Sequence, residues 1–254
     1  MERTDDTGFA GIKVIQTEKA GYGVDAVLLA AFAAGETGAG GMAAGSRAAD
    51  LGTGSGVVAF ILHHKLGGAR ITGFDVRAAA VDRAERACAM NGLEEDIDFI
   101  CCDAADIGRK GTSLLPHAVR AGSFDAVVSN PPYFRRTPDE PGAADPDERY
   151  VARHETTADF ADFAEAAASL LKEGGSFYLV HRPDRLADIF CGMRAAGIEP
   201  KEMQPVVPSA GKSANIVLVR GIKGAGPELR MLPEIAVHGA GGGYTPAILR
   251  IYER

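Results

Sequence analysis

Asp50-Leu51-Gly52-Thr53-Gly54-Ser55-Gly56 decides how the rest of the chain is read. A short run, Arg47 to Leu51, leads into three glycines at alternate positions, and an apolar helical run, Val57 to Lys65, leads out. Strand, glycine turn and helix form the opening unit of a parallel α/β sheet. Glycine tolerates the left-handed backbone of a sharp turn and lets the main chain approach a ligand with no Cβ between them. The spacing G-x-G-x-G is one residue tighter than the dinucleotide fingerprint G-x-G-x-x-G, which argues against a pyrophosphate seated on the helix N-terminus.

Outward from that turn the alternation continues. Ala69 to Phe74 reads as a second strand ended by Asp75, and Ala78 to Met90 as an amphipathic helix stopped by Asn91-Gly92. Ile97 to Cys101 and Phe124 to Ser129 read as the third and fourth strands. Phe160 to Lys172 reads as a helix closed by Gly174-Gly175, Ser176 to Val180 as the fifth strand, and Asp184 to Ala196 as a helix. Ala214 to Arg220 and Glu228 to Val237 read as two last strands. Upstream, Ala26 to Ala34 reads as a helix with Asp25 as its N-cap, followed by a Gly/Ser-rich connector to Ser46. Right-handed crossovers then give a mostly parallel sheet covered on both faces.

Composition sets the outer bounds. With 254 residues, 46% hydrophobic and 24% charged, the chain has the balance of a globular protein rather than a disordered one. Its longest apolar stretch, Ala26 to Ala34, falls far short of the ~18 residues of a membrane span, and the first residues lack a signal-type apolar run. The net charge of −7 excludes a strongly basic nucleic-acid binder at the level of the whole chain. Up to His181 there are 17 basic against 27 acidic groups; beyond it, 10 against 7, so only the tail leans cationic. The four cysteines form no C-x-x-C pair and stand near no histidine at ligand spacing, which implies a reduced, cytoplasmic protein without a metal site. Cys101-Cys102 reads as a pair of buried small hydrophobes.

Asp75, at the end of the strand after the glycine turn, is placed to accept both hydroxyls of a ribose, and Asp50 to accept from a cationic amino group. The ligand that fits alternating glycines, a ribose and an ammonium group is S-adenosylmethionine. Asp103, just past the third strand, reads either as an acceptor for the adenine amino group or as a plain cap aspartate.

Val127-Val128-Ser129-Asn130-Pro131-Pro132-Tyr133-Phe134 carries the most specific chemistry. A strand ending in Asn and two prolines sets them at the carboxyl edge of the sheet, where open α/β folds bind ligands. The prolines fix φ and hold their carbonyls rigidly. Asn130 Oδ1 and the Pro131 carbonyl can both accept from one exocyclic NH₂ group, while Tyr133 offers a face on which a planar base or amide stacks. Such a site suits a conjugated nitrogen, a poor nucleophile whose lone pair must be aimed at an electrophilic methyl group; the work is positioning and electrostatic complementarity.

The pairing of Asp50–Gly56 with Asn130–Phe134 resembles the class I S-adenosylmethionine-dependent methyltransferases that act on conjugated amino groups. Gly23-Val24-Asp25-Ala26-Val27-Leu28-Leu29-Ala30, Ala152-Arg153-His154-Glu155 and Tyr244-Thr245 resemble signatures of the tRNA(Val) adenine-N(6)-methyltransferase family, and the likeness runs over roughly residues 9–252. The resemblance implies a Rossmann-like seven-stranded sheet with an antiparallel last strand at Ala214 to Arg220. It implies S-adenosyl-L-methionine held by Asp50, Gly52, Gly54, Gly56, Asp75, Asp103 and Asn130, with Asp25 on the far side of the pocket or simply capping its helix. It implies catalysis by Asn130, Pro131, Pro132 and Tyr133 on a tRNA adenine. The expected organisation is one domain, 1–254, with an N-terminal cap segment 1–46 and a sheet core 47–254 whose strands in 214–254 contact RNA.

An RNA substrate calls for cations along a phosphate track. Arg135 and Arg136 are the best local candidates, and Lys212 with Arg220 and Lys223 a second patch; solvated loop and strand-edge charges are the alternative reading for both. Arg153-His154-Glu155 reads equally as part of the base pocket or as a helix-start salt bridge. The acidic loop Thr137 to Arg149 runs against a phosphate track. Rival substrates with the same chemistry are an rRNA base, a DNA adenine or a release-factor glutamine; only 49 residues precede Asp50, short of the helical domain the last family carries. The rival of another class is a non-catalytic S-adenosylmethionine-binding protein.

Overall fold

The computed structural model describes residues 1–18, 21–116, 119–135, 154–155 and 157–254. At its centre strand β3 (Arg47–Leu51) lies between β4 (Arg70–Asp75) and β6 (Phe124–Ser129), parallel to both. Beyond β4 comes β5 (Ile97–Cys101), and beyond β6 comes β9 (Leu171–His181), again parallel. β11 (Ile216–Lys223) runs antiparallel to β9 and to β10 (Ile198–Ser209), which closes the seven-stranded set. Two short strands, β12 (Arg230–Met231) and β13 (Ile235–His238), pair in parallel with β10 and bring the sheet to nine strands among the described residues. The expected α/β sheet with an antiparallel late strand is thus present. Its order reverses between β3 and β6, the crevice where open α/β sheets bind ligands.

Helices cover both faces. On one side α1 (Val24–Ala33), α2 (Val57–Lys65) and α3 (Ala78–Asn91) bury Val27, Phe32, Phe60, Ile61 and Val81 against the sheet. On the other, α4 (Ala104–Lys110), α5 (Phe160–Leu170) and α6 (Leu186–Ala195) bury Ile107, Phe163, Ala167 and Ile189. A last helix, α7 (Pro246–Ile251), returns to the first face through Ile248 and Ile251. Eight of the ten residues of α1 are buried, so the helix is apolar all round and belongs to the core rather than the surface. The segment before it forms a hairpin, β1 (Glu2–Asp6) with β2 (Lys13–Thr17), of which only the Ile12–Ile15 run has a sequence signal.

Several boundaries differ from expectation for identifiable reasons. Gly23, not Asp25, is the N-cap of α1; Asp25 lies in the first turn, where its negative charge meets the positive end of the helix dipole. Gly174 and Gly175 do not close a helix: α5 stops at Leu170 and the chain enters β9 directly, the glycines forming an irregularity between the pairs Phe124↔Leu171 and Ala126↔Ser176. Strand β10 has no counterpart in the sequence reading. Its buried face alternates Ile198, Pro200, Glu202, Gln204, Val206, so polar side chains interrupt the apolar pattern and proline argues against a strand. Glu202 is tolerated there because Arg220, Arg230 and the Gly40 N–H all donate to it. Cys101 is exposed and Cys102 partly so, because they end the edge strand; only Cys88 behaves as a buried small hydrophobe.

Candidate active site

Four strand ends build one pocket at the carboxyl edge. It is lined by Gly52 after β3, by Asp75 and Arg77 after β4, by Asp103 after β5 and by Asn130 and Pro132 after β6, with Phe163 of α5 as an apolar wall. Hydrogen bonds to backbone carbonyls fix these ends to one another. Gly52 and Thr53 N–H donate to the Phe74 carbonyl, Cys102 N–H to the Asp75 carbonyl, and Ser129 Oγ to the Leu51 carbonyl at 2.8 Å. Gly52, Gly54 and Gly56 all have positive φ (75°, 58° and 80°). At Gly56 a Cβ would also stand 2.9 Å from Phe60 and Phe99, so this glycine serves packing, whereas Gly52 faces the pocket opposite Phe163.

Asp75 is 5% exposed and its acceptor capacity is full. Oδ1 accepts from the Arg77 N–H and Nε; Oδ2 accepts from the Gly54 N–H and Arg77 Nη2, all at 2.9–3.0 Å. Arg77 carries no sequence signal beyond its place two residues after a strand-ending aspartate. Asp103 caps α4 through Oδ1 on the Ala105 N–H and also lines the pocket.

Asp50 is not on the pocket wall. It is 1% exposed beneath the glycine turn, accepting from Thr53 Oγ1 at 2.7 Å and from the Ala59 N–H. Burial pushes its carboxyl up to about 7, with Asp75 adding to the rise. Asp50, expected to meet a ligand's ammonium group, here bonds within the turn, because strand β3 buries the side chain before the turn begins.

Asp25 likewise stands away from the pocket lining. Its Oδ2 accepts from the Tyr133 hydroxyl at 2.8 Å, and the same hydroxyl lies 2.7 Å from Asn130 Oδ1. Burial first, and then the Asp25 charge, hold the Tyr133 hydroxyl well above the usual phenol range, so it remains a donor. The Tyr133 ring packs against His181 at the end of β9, with centroids 5.1 Å apart. His181 is fully buried; Nδ1 accepts from the Arg182 N–H, Nε2 has no partner among the described residues, and burial lowers its pKa to about 4. Arg185 ties the segment down by donating to the Tyr133 carbonyl (3.2 Å) and pairing with Glu155 (2.9 Å) on β8 (His154–Glu155), which is parallel to β7 (Phe134–Arg135). His181 and Arg185 were missed by sequence reasoning; their signal was a cationic His-Arg-Pro-Asp-Arg run at a strand's carboxyl end.

Of the expected RNA cations, Lys212 is exposed in the turn joining β10 to β11. The pairs Val206↔Ile216 and Val217↔His181 put that turn at the same sheet edge as the pocket. It forms no patch with its supposed companions. Arg220 is spent on Glu202 and Ser176, and Lys223 caps α5 from the far end of β11 through the Ala168 and Leu171 carbonyls. Arg136, Arg153 and the acidic loop 137–149 lie outside the described residues, as does the side chain of Arg135. Arg182, over the ring of exposed Phe134 at 5.2 Å, is a cation at this edge that the sequence reading passed over.

The donor set fits a nucleoside-bearing cofactor: two carboxylates after neighbouring strands, an amide, apolar walls at Leu51, Val76 and Phe163, and a glycine whose missing side chain leaves room. Asp75 can take ribose hydroxyls once Arg77, whose side chain is 21% exposed, turns outward. Among the described residues no helix is long and apolar enough to cross a membrane, and no cluster of His, Cys, Asp or Glu is arranged to hold a metal.

Comparison with known proteins bears on the same pocket. The family described as "Methyltransferase domain" matches residues 43–200. The chain is 32% identical over 187 residues to a tRNA1(Val) (adenine(37)-N6)-methyltransferase of Porphyromonas gingivalis, covering 73% of this chain and 68% of that protein. It is 37% identical over 147 residues to a release factor glutamine methyltransferase of Chlorobaculum tepidum, covering 55% of this chain and 47% of that one. Its fold superposes on a predicted O-methyltransferase of Agrobacterium tumefaciens with a TM-score of 0.68 at 21% identity, over 90% of this chain and 95% of the other.

Proposed function

Because the chain belongs to the methyltransferase-domain family and is a class I S-adenosylmethionine-dependent methyltransferase, we propose that its acceptor is the exocyclic 6-amino group of an adenine in tRNA, the anticodon-loop adenosine beside the anticodon of tRNA(Val). The observation that carries this reading is the position of Asn130, which follows β6 at the switch point, on the wall shared with Asp75 and Asp103. Likeness to the Porphyromonas enzyme over most of both chains supports the choice of substrate.

S-adenosylmethionine, when bound, supplies an electrophilic methyl group. Asp75 takes its ribose hydroxyls, Asp103 its adenine amino group, and Gly52 and Gly54 the close backbone approach. Asn130 Oδ1 and the Pro131 carbonyl accept the two N–H groups of the target amine. That pairing draws the amine hydrogens out of conjugation and directs the nitrogen lone pair. Pro132 keeps the carbonyls rigid, and the Tyr133 ring backs the base. No strong general base is required, because the methylated nitrogen's surplus proton is very acidic. A loop adenine reaches such a site by leaving its stack, at a cost of a few kcal/mol or less. Lys212 and Arg182, with Arg135 and Arg136, hold phosphates at the pocket's edge.

The test is methyl transfer from labelled S-adenosylmethionine to unmodified total tRNA, with rRNA, DNA and a release factor in parallel, and identification of the product by mass after digestion. N(6)-methyladenosine in tRNA alone is the expected result. Label in the release factor transfers the same amino-group chemistry to glutamine and overturns the tRNA assignment. Cofactor binding with no label in any of the four would point to a non-catalytic binding protein.

A further inference from the structure

Two acceptors share one hydroxyl proton at the heart of the site. Tyr133 Oη lies 2.8 Å from Asp25 Oδ2 and 2.7 Å from Asn130 Oδ1, and a phenol has a single O–H to give. The carboxylate is the stronger acceptor, since hydrogen bonds to ionised groups are roughly twice as strong as neutral ones. Yet Asn130 Oδ1 is the atom that must be open when an amino group arrives, and a hydroxyl donating to it competes with that amino group. Gly23 adds a geometric detail. A Cβ there would stand 2.6 Å from Asp25 Oδ1, so the glycine N-cap lets the carboxylate fold back over the start of α1, where Oδ1 also meets the Ala26 N–H.

We propose that Asp25 is a positioning residue which draws the Tyr133 hydroxyl onto itself and so keeps Asn130 Oδ1 open for the substrate's amino group. The proposal rests on the reading of Asn130 as the amine acceptor. It differs from the family expectation for Asp25, because the carboxylate acts on the nucleophile's side of the site and makes no contact with the cofactor. It also fits the surroundings of the ring: Arg185 holds the Tyr133 carbonyl and His181 packs on its ring, and among the described residues the hydroxyl meets Asp25 and Asn130.

The proposal makes the two residues interdependent. In Asp25→Ala the hydroxyl is left, among the described residues, with Asn130 to donate to, and kcat should fall about tenfold, the equivalent of one neutral hydrogen bond. Asp25→Asn retains an acceptor oxygen and should stay within about threefold of wild type. The decisive variant is the double one: Asp25→Ala with Tyr133→Phe has no hydroxyl left to occupy Asn130 and should recover most of the loss of Asp25→Ala. Calorimetry with S-adenosylhomocysteine should give unchanged affinity in all of them. A double variant no faster than Asp25→Ala overturns the proposal, and so does a tenfold or larger loss of S-adenosylhomocysteine affinity in Asp25→Ala. If the wild type methylates none of the substrates offered, the proposed function fails separately. The contact is then read from the ionisation of Tyr133, assigned by difference from Tyr133→Phe. Ionisation at lower pH in Asp25→Ala supports the pairing, and an unmoved titration overturns it.

Discussion

Replacing Asp50 with Asn should make the protein more stable, and more so as pH rises. Asp50 is 1% exposed, and burial lifts its carboxyl from 3.8 to about 7. An acid whose folded pKa is raised contributes its stability below the unfolded value and loses it as pH climbs through the folded one. A rise of about three units at ~1.4 kcal/mol each amounts to about 4 kcal/mol of destabilisation near pH 8, against about 2 kcal/mol near pH 5. Asparagine keeps an acceptor for the Ala59 N–H, and the Thr53 hydroxyl can turn to accept from the new amide. Urea unfolding of wild type and Asp50→Asn without cofactor, near pH 5 and near pH 8, reads the difference directly. The stabilisation should grow by about 2 kcal/mol between the two conditions, and His181 cancels because both proteins carry it. A difference that is the same at both pH values refutes the burial argument, and a variant less stable near pH 8 refutes its sign.

Other outcomes follow from the same geometry. Asn130→Ala should bind S-adenosylhomocysteine like wild type, measured by calorimetry, while methyl transfer falls about 10²-fold, the loss seen when one transition-state hydrogen-bond partner is removed. His181 titrates in the opposite sense to Asp50: its folded pKa is lowered to about 4, so its stability is present above the unfolded value near 6.5 and lost as pH falls. Thermal melts of His181→Phe between about pH 4 and pH 7 should therefore show the variant gaining on wild type toward the acid end, and parallel curves would count against a buried neutral imidazole. Changing Lys212 and Arg182 to Ala together should weaken tRNA binding and flatten its dependence on salt by up to about two units of slope; an unchanged slope would put the phosphate track elsewhere.

What the sequence disclosed were features whose chemistry is local. Gly52, Gly54 and Gly56 announce a turn by spacing alone, Asn130-Pro131-Pro132-Tyr133 a rigid strand end, and Val57 to Lys65 a helix that the structure reproduces residue for residue. Strand β10 stayed hidden because its polar inward residues are satisfied by partners far along the chain, Arg220 and Gly40, which no local pattern can display. Asp50 is hard to read for a different reason, burial. From sequence a carboxylate beside a glycine turn looks available, and only the buried strand β3 shows that it faces Thr53. The pairing of Asp25 with Tyr133, 108 residues apart, likewise exists only once α1 has packed on the sheet. Arg77 shows the converse: adjacent in sequence to Asp75 in all but one position, it carries no pattern of its own.

That neighbour changes what it means for the pocket to be filled. With all four lone pairs of Asp75 engaged, two of them by the Arg77 side chain, the proposed seating of ribose hydroxyls on Asp75 makes ligand binding a displacement equilibrium in which they replace a guanidinium. The measured affinity is then the difference between two sets of hydrogen bonds, and the released cation regains its hydration. Salt screens such a buried pair only weakly, while it strongly opposes the proposed phosphate-driven association with RNA. One variable thus acts very unequally on the two proposed ligands, and a buffer can be chosen that loosens nucleic acid while leaving the cofactor's seat almost untouched.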